Sequence, residues 1–290
     1  MHSLKIEDLK TTEVQKILTS AISPRPIALV SSIDKKGNIN LAPFSFFNAI
    51  GANPATLVFS PALRGRDAMS KNTLDNIREV AEVVIHVVTF DMVEKVNIAG
   101  MEYSKDVNEF LKAGFTAIAA DRVKPPRIKE SPVQFECVVK EIIETGREGG
   151  AGNIVRCEVL KVHLSDDILD ENGNIDEWKL DLVGRMGSDH YVRTRKGIFE
   201  VKKPGTKVGI GFDSLPDFIV NTEYLTANQL AKMACVEFIP EPTSDFLDKS
   251  LNSLQPKILS ERKIFKIAKK LIKEDNPKDA LLLLLKYGVY

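Results

Sequence analysis

A chain of 290 residues is long enough for one large domain or two smaller ones with a sizeable buried core. Its 40 basic and 40 acidic residues cancel, so no global field draws it to nucleic acid or to an anionic membrane surface. Three widely spaced cysteines, Cys137, Cys157 and Cys235, offer neither a metal clip nor a redox dithiol, and read as reduced core residues of a cytoplasmic protein.

The opening MHSLKIEDLK alternates charged and apolar residues and lacks the continuous apolar stretch of an export signal. Strands are predicted over 27–32 and 39–44, joined by the polar turn DKKGN. The second strand runs into APFSFFN, where Pro43 is expected to end the pairing. There Ser45 and Asn48 would present polar groups beside the faces of Phe46 and Phe47, which suits a flat, hydrogen-bonding ring. A third strand follows over 56–60.

Next comes SKNTLDNIRE, a helix predicted over 72–80, with Lys71 and Thr73 at its start. A helix start offers unpaired amides and a positive dipole end, worth about 0.3 to 1 kcal/mol to an anion near the surface. A lysine roughly 4 Å from a phosphate adds about 4 kcal/mol gross at an effective dielectric near 20. Lys71 therefore outweighs the dipole. Arg64 and Arg66 stand just upstream, and Arg64 is the better candidate to close over the same anion. Each segment alone has an ordinary reading, a strand end with core phenylalanines and a capped helix with a solvated lysine. Together, a ring site followed by a phosphate site points to flavin mononucleotide (FMN).

Further along, a strand over 83–90 precedes helices over 91–100 and 106–113, the latter ending at Gly114. Two long runs, 133–144 and 154–164, flank the glycine-rich 146–152 and predict a hairpin. Helices are too few and short for a doubly wound parallel sheet, so the pattern favours an antiparallel barrel or sandwich. After about residue 200 the character shifts. Thr226 with Gln229 forms a capping box, Ser260 precedes the amphipathic KIFKIAKKLI, and Asn276-Pro277 opens a last helix. These helices form a hairpin after a linker at Pro240-Glu241-Pro242. The leucine run at 281–285 is far short of the roughly 20 residues that cross a bilayer.

Other motifs are weak. Ser188, Asp189 and His190 are sequence neighbours whose side chains diverge, whereas triad members come from distant segments. Gly209-Ile210-Gly211 lacks the third glycine of a dinucleotide loop. His86 and His163 lie far apart on apolar strands and read as satisfied core histidines, so neither a metal site nor a catalytic side chain is expected.

Taken together, SPRPIALVSSIDKKGNINLAPFSFFN at 23–48, KNTLDNI at 71–77 and VGRMGSDHYVRTR at 183–195 resemble the flavin reductase-like, FMN-binding split-barrel family. The resemblance covers residues 1–200, and a weaker likeness continues through GIGFDSLPDFI and LTANQLAKMACVEFIP. It implies a mainly β fold, a six-stranded Greek-key split barrel with flanking helices, assembled as a homodimer with FMN near the subunit interface. Residues 201–290 would be an extension, helical from about 223. Carried over by position, Ser45, Phe46, Phe47 and Asn48 would face the ring with Ser60 beside it, and Lys71, Asn72 and Thr73 would hold the phosphate with Asn76 nearby. Arg185 and Tyr191 would reach the ring or the nicotinamide. Many relatives carry aspartate where Asn72 stands, and the amide would keep the capping role.

Members of this family reduce flavin with NADH or NADPH for a partner oxygenase, or hold FMN as a redox group for another electron acceptor. That implies an oxidoreductase whose chemistry resides in the flavin. The alternatives are a non-catalytic FMN carrier or electron-transfer protein with a docking tail, and an enzyme of the pyridoxamine-phosphate oxidase type.

Overall fold

Valine- and isoleucine-rich runs separated by turn residues build one seven-stranded antiparallel sheet. The computed structural model describes residues 1–201, 208–241 and 260–287. It divides into two compact units, Met1–Phe199 and Glu200–Tyr290.

In the first unit, helix α1 (Thr11–Ala21) precedes strands β1 (Ala28–Ile33), β2 (Ile39–Phe44), β3 (Phe47–Ala52) and β4 (Ala55–Phe59). Helix α2 (Asn72–Glu79), strand β5 (Glu82–Val87) and helices α3 (Val93–Ala99) and α4 (Glu109–Ala113) follow. A short ribbon pairs β6 (Ala117–Ile118) with β7 (Arg127–Ile128), ahead of the long β8 (Val133–Glu144) and β9 (Asn153–Leu164). Helix α5 (Glu177–Leu180) leads to a second ribbon of β10 (Val183–Arg185) and β11 (Tyr191–Arg193).

Local chemistry explains the boundaries. The β1–β2 turn closes because Asp34 Oδ1 accepts the amides of Lys36 and Asn38, each at 2.9 Å, and Gly37 takes φ +91°. α4 stops at Gly114, left-handed at φ +67°, as the sequence predicts.

Hydrogen-bonded neighbours run β2-β1-β5-β8-β9-β4-β3. The two ends of that order, β2 and β3, are consecutive in the chain and separated only by Ser45 and Phe46. The sheet must therefore curl until its ends meet. Phe44 of β2 and Phe59 of β4 pack with ring centroids 5.3 Å apart, and Ala28, Val30, Leu57, Val83, Ile85 and Val155 fill the interior around them. Leu74 and Ile77 of α2 join this core. Alternate residues of β1 and β2, Leu29 and Leu41, face a second core under α3 and α4 with Val96, Ala99 and Phe110. β1 is buried on both faces, hence its continuous apolar reading.

Three expectations are corrected. The sheet has a seventh strand, β3, where the sequence offers only weak strand formers after Phe47. Pro43 does not end β2 but pairs opposite Leu29, tolerated because β2 is an edge of the ladder and needs no outward amide. Cys137 and Cys157 are buried and free, but Cys235 is exposed.

The second unit is helical: α6 (Asp217–Val220), α7 (Ala227–Ala234), α8 (Glu261–Lys273) and α9 (Pro277–Tyr287). Its core joins Ile219, Met233, Ile264, Phe265, Ala268 and Ile272 to Leu281, Leu283 and Leu284. The Thr226–Gln229 capping box forms as the sequence predicts. The predicted linker falls partly outside the described residues, at Pro242. No described helix is long and apolar enough to cross a membrane.

Candidate active site

The loop before α2 is extended at Lys71, with φ −79° and ψ 145°, so that Lys71 is the N-cap and Asn72 the first helical residue. Asn72 therefore does not cap the helix. The amides of Asn72 and Thr73 have no acceptor among the described residues, the ordinary condition of a first turn that awaits a ligand or water. Thr73 is fully buried, and its hydroxyl accepts the Asn40 carboxamide at 2.8 Å. Beside it, buried Glu109 accepts the Leu41 amide at 3.0 Å, and burial raises its carboxyl pKa. Asn40, Lys71, Asn72, Thr73, Glu109 and Arg64 line one cavity of about 510 Å³.

A second cavity of about 320 Å³ is lined by Ile27, Ser45, Val96, Asn97, Arg185 and Tyr191. The two share Pro43, Gly100 and Met101 as a common wall. Gly100 keeps that wall close, since a Cβ there would stand 3.1 Å from Pro43 Cγ and press the ring back by a few tenths of an ångström. Ser45 is held by Arg25, which lies buried and donates from Nε to Ser45 Oγ at 3.4 Å. Arg25 also donates to the carbonyls of Thr19, Ile22 and Met186, tying the end of α1 to the chain beyond β10. Burial, with Arg185 nearby, lowers its pKa. Arg185 donates to the Tyr191 hydroxyl and to the Ser188 carbonyl, and its guanidinium lies 4.7 Å over the Tyr191 ring.

Other expected site residues lie outside both cavities. Phe46 is 41% exposed, and Phe47 lines a separate apolar cleft with Leu182 and Val183. Asn48 is exposed on β3, its carboxamide oxygen accepting the next amide. Ser60 accepts the Asn153 amide at 3.0 Å. Asn76 is buried and donates to Ser32 at 3.2 Å, its carboxamide oxygen unpartnered. Conversely, Arg25, Asn40, Glu102 and Glu109 have no local sequence signal and reach the site only through tertiary pairing.

Away from the cavities, His86 is a satisfied core histidine, with Nδ1 against the Leu29 carbonyl and Nε2 accepting the Ile128 amide. Ligand atoms of Asp121, Glu136 and His163 gather within 4.8 Å. Glu136 already accepts the amides of Asp121 and Arg122, and Lys161 pairs with Asp121.

The larger cavity offers a cation and free helix amides, the smaller a mixed apolar and polar slot, and their volumes lie within the ordinary range for small-molecule sites, roughly 300–1,000 Å³. The donor set fits a phosphorylated ring compound. Residues 20–179 match the flavin reductase like domain. The chain belongs to that family. Similar proteins include an uncharacterized protein of Aquifex aeolicus, 38% identical over 178 residues, covering 61% of this chain and 88% of that one. Another, from Halalkalibacterium halodurans, is 34% identical and covers 65% of this chain and 90% of its own.

Among solved structures, nitrilotriacetate monooxygenase component B from Bacillus cereus superposes with a TM-score of 0.64 at 26% identity, over 70% of this chain and 98% of that one. Pseudomonas fluorescens 2-nitrobenzoate 2-nitroreductase follows at 0.61 and 25%, over 71% and 98%. A Shewanella frigidimarina protein described as having a split barrel domain superposes at 0.59 and 25%, over 70% and 98%. The closed sheet is thus a split barrel with flanking helices, in an oxidoreductase family of the flavin reductase kind.

Proposed function

We propose that this chain is a cytoplasmic FMN-binding oxidoreductase that takes hydride from NADH or NADPH and passes electrons to an acceptor. The observation that carries the reading is the shared wall of the two cavities. Ser45 lines one and Lys71 the other, with Pro43, Gly100 and Met101 between, so one elongated molecule can touch both ends. Lys71, with Arg64 and the free amides of Asn72 and Thr73, would hold the phosphate. Asn40 and Glu109 supply buried polar groups for the hydroxylated linker. Ser45, oriented by Arg25, would meet the polar edge of the ring, and Arg185 with Tyr191, which line the same slot, would border the place where a nicotinamide approaches. Bound FMN would supply hydride acceptance and onward electron transfer. The protein's task is orientation, and no side chain need act as acid or nucleophile.

The likeness to a monooxygenase component supports a partner oxygenase as acceptor. Exposed Phe46 and Ile50, 41% and 57%, beside the outer face of β3 support a homodimer that covers them. The test is a visible spectrum of the purified protein, then NADH and NADPH oxidation with added FMN. A flavin spectrum and turnover with one nicotinamide are expected. A colourless protein that takes up no FMN overturns the proposal, and a yellow one without turnover makes it an electron-transfer protein.

A further inference from the structure

The basic residues at the phosphate end are engaged by an acid of the chain itself. Glu102 lines the larger cavity together with Arg64 and Lys71. Its Oε2 accepts from Arg66 at 2.5 Å and lies 3.6 Å from Nη1 of Arg64. These two arginines and Glu102 come from separate loops, so the carboxylate spans the rim of the cavity.

Arg64 is poorly satisfied in this arrangement. Its Nε is buried with no hydrogen-bond partner, lying 3.3 Å from Asp67 but misaligned, and one terminal nitrogen is spent on the Met69 sulfur at 2.9 Å. A guanidinium with five donors, held by ion pairs to Asp67 at 3.3 Å and Glu102 at 3.6 Å that make no aligned hydrogen bond and by a thioether, is poised for a stronger acceptor. A phosphomonoester brings about −1.5 to −2 charges at neutral pH and three acceptor oxygens, against one charge for Glu102.

We propose that Glu102 is a built-in competitor for the FMN phosphate, occupying Arg64 and Arg66 in the flavin-free protein and yielding Arg64 when the phosphate arrives. It thereby holds FMN affinity down and sets how readily flavin leaves. The proposal rests on the phosphate assignment above. Once displaced, Glu102 remains beside a dianion, a like-charge contact that favours release. An ordinary surface ion pair, worth about 0–1 kcal/mol to folding, would leave flavin affinity unchanged.

The experiment compares dissociation constants for FMN and riboflavin in wild type, Glu102→Gln and Glu102→Ala by flavin-fluorescence titration at low and high salt. Both variants are expected to bind FMN about tenfold more tightly and release it more slowly, with riboflavin unchanged and the gain shrinking as salt rises. Phosphate preference intact in wild type with no gain in either variant overturns the proposal alone. Weaker binding of both flavins would make Glu102 a ligand rather than a competitor, and also overturns it. A wild type that binds FMN and riboflavin equally overturns the phosphate assignment and the proposal with it.

Discussion

Lys71 and Thr73 stand two residues apart at the start of α2 and have different surroundings. Lys71 is half-buried with its charge toward the cavity, so Lys71→Ala should weaken FMN binding at least tenfold, about 1.4 kcal/mol, while riboflavin binding stays near its original value. Equal losses for both ligands would show that the lysine does not meet the phosphate. Thr73→Ala instead strips a buried carboxamide of its acceptor at 2.8 Å, and should cost about 1–3 kcal/mol of folding stability in chemical denaturation. That Ser45 follows a strand and Lys71 opens a helix was legible, because a short local run carries each, and the structure lines one cavity with each of them. Glu109 was not, for it reaches the Leu41 amide across 68 residues of sequence, and no pattern near either residue announces that meeting. Glu102 was equally silent, since it lies 36 residues from Arg66 and no local pattern links the two loops.

Strand existence was legible wherever valine and isoleucine cluster, as in β5 and the β8–β9 hairpin. β3 escaped because Asn48, Ala49, Gly51 and Ala52 carry little strand preference, and its ladder with β4 decides the matter. The same dependence on neighbours gives His86 its role. Its Nδ1–H donates to Leu29 of β1, and its Nε2 accepts from Ile128 of β7, so one neutral tautomer bolts three strands together. A second proton would set two N–H groups against each other. Burial accordingly lowers its pKa to about 4 from the ordinary 6.5. Because the unfolded chain takes up that proton first, stability should be level above pH 6.5 and fall by about 3 kcal/mol as pH drops through 4. Denaturation midpoints of wild type and His86→Gln across that window check it, the variant showing the shallower slope.

At the scale of the molecule, the matched family region ends at residue 179, and the helical unit lies beyond it. α6 and α7 share one apolar core with α8 and α9, through Ile219 and Met233 against Phe265 and Leu284. Truncation after 242 should therefore leave an exposed half-core and aggregate, whereas truncation after Phe199 should give a monodisperse barrel that still takes up FMN, as read by size-exclusion chromatography and absorbance. Strand pattern alone left barrel and sandwich open and the family resemblance pointed to the barrel, because closure is a relation between β2 and β3 rather than a property of either. It has a mechanical corollary. Where those two strands adjoin, no ladder of backbone bonds sets the gap, and the span of a dipeptide does so instead. Lengthening that tether by one residue would loosen the slot holding Ser45 while every paired strand kept its register, so evolution could retune ring size here without disturbing the barrel wall.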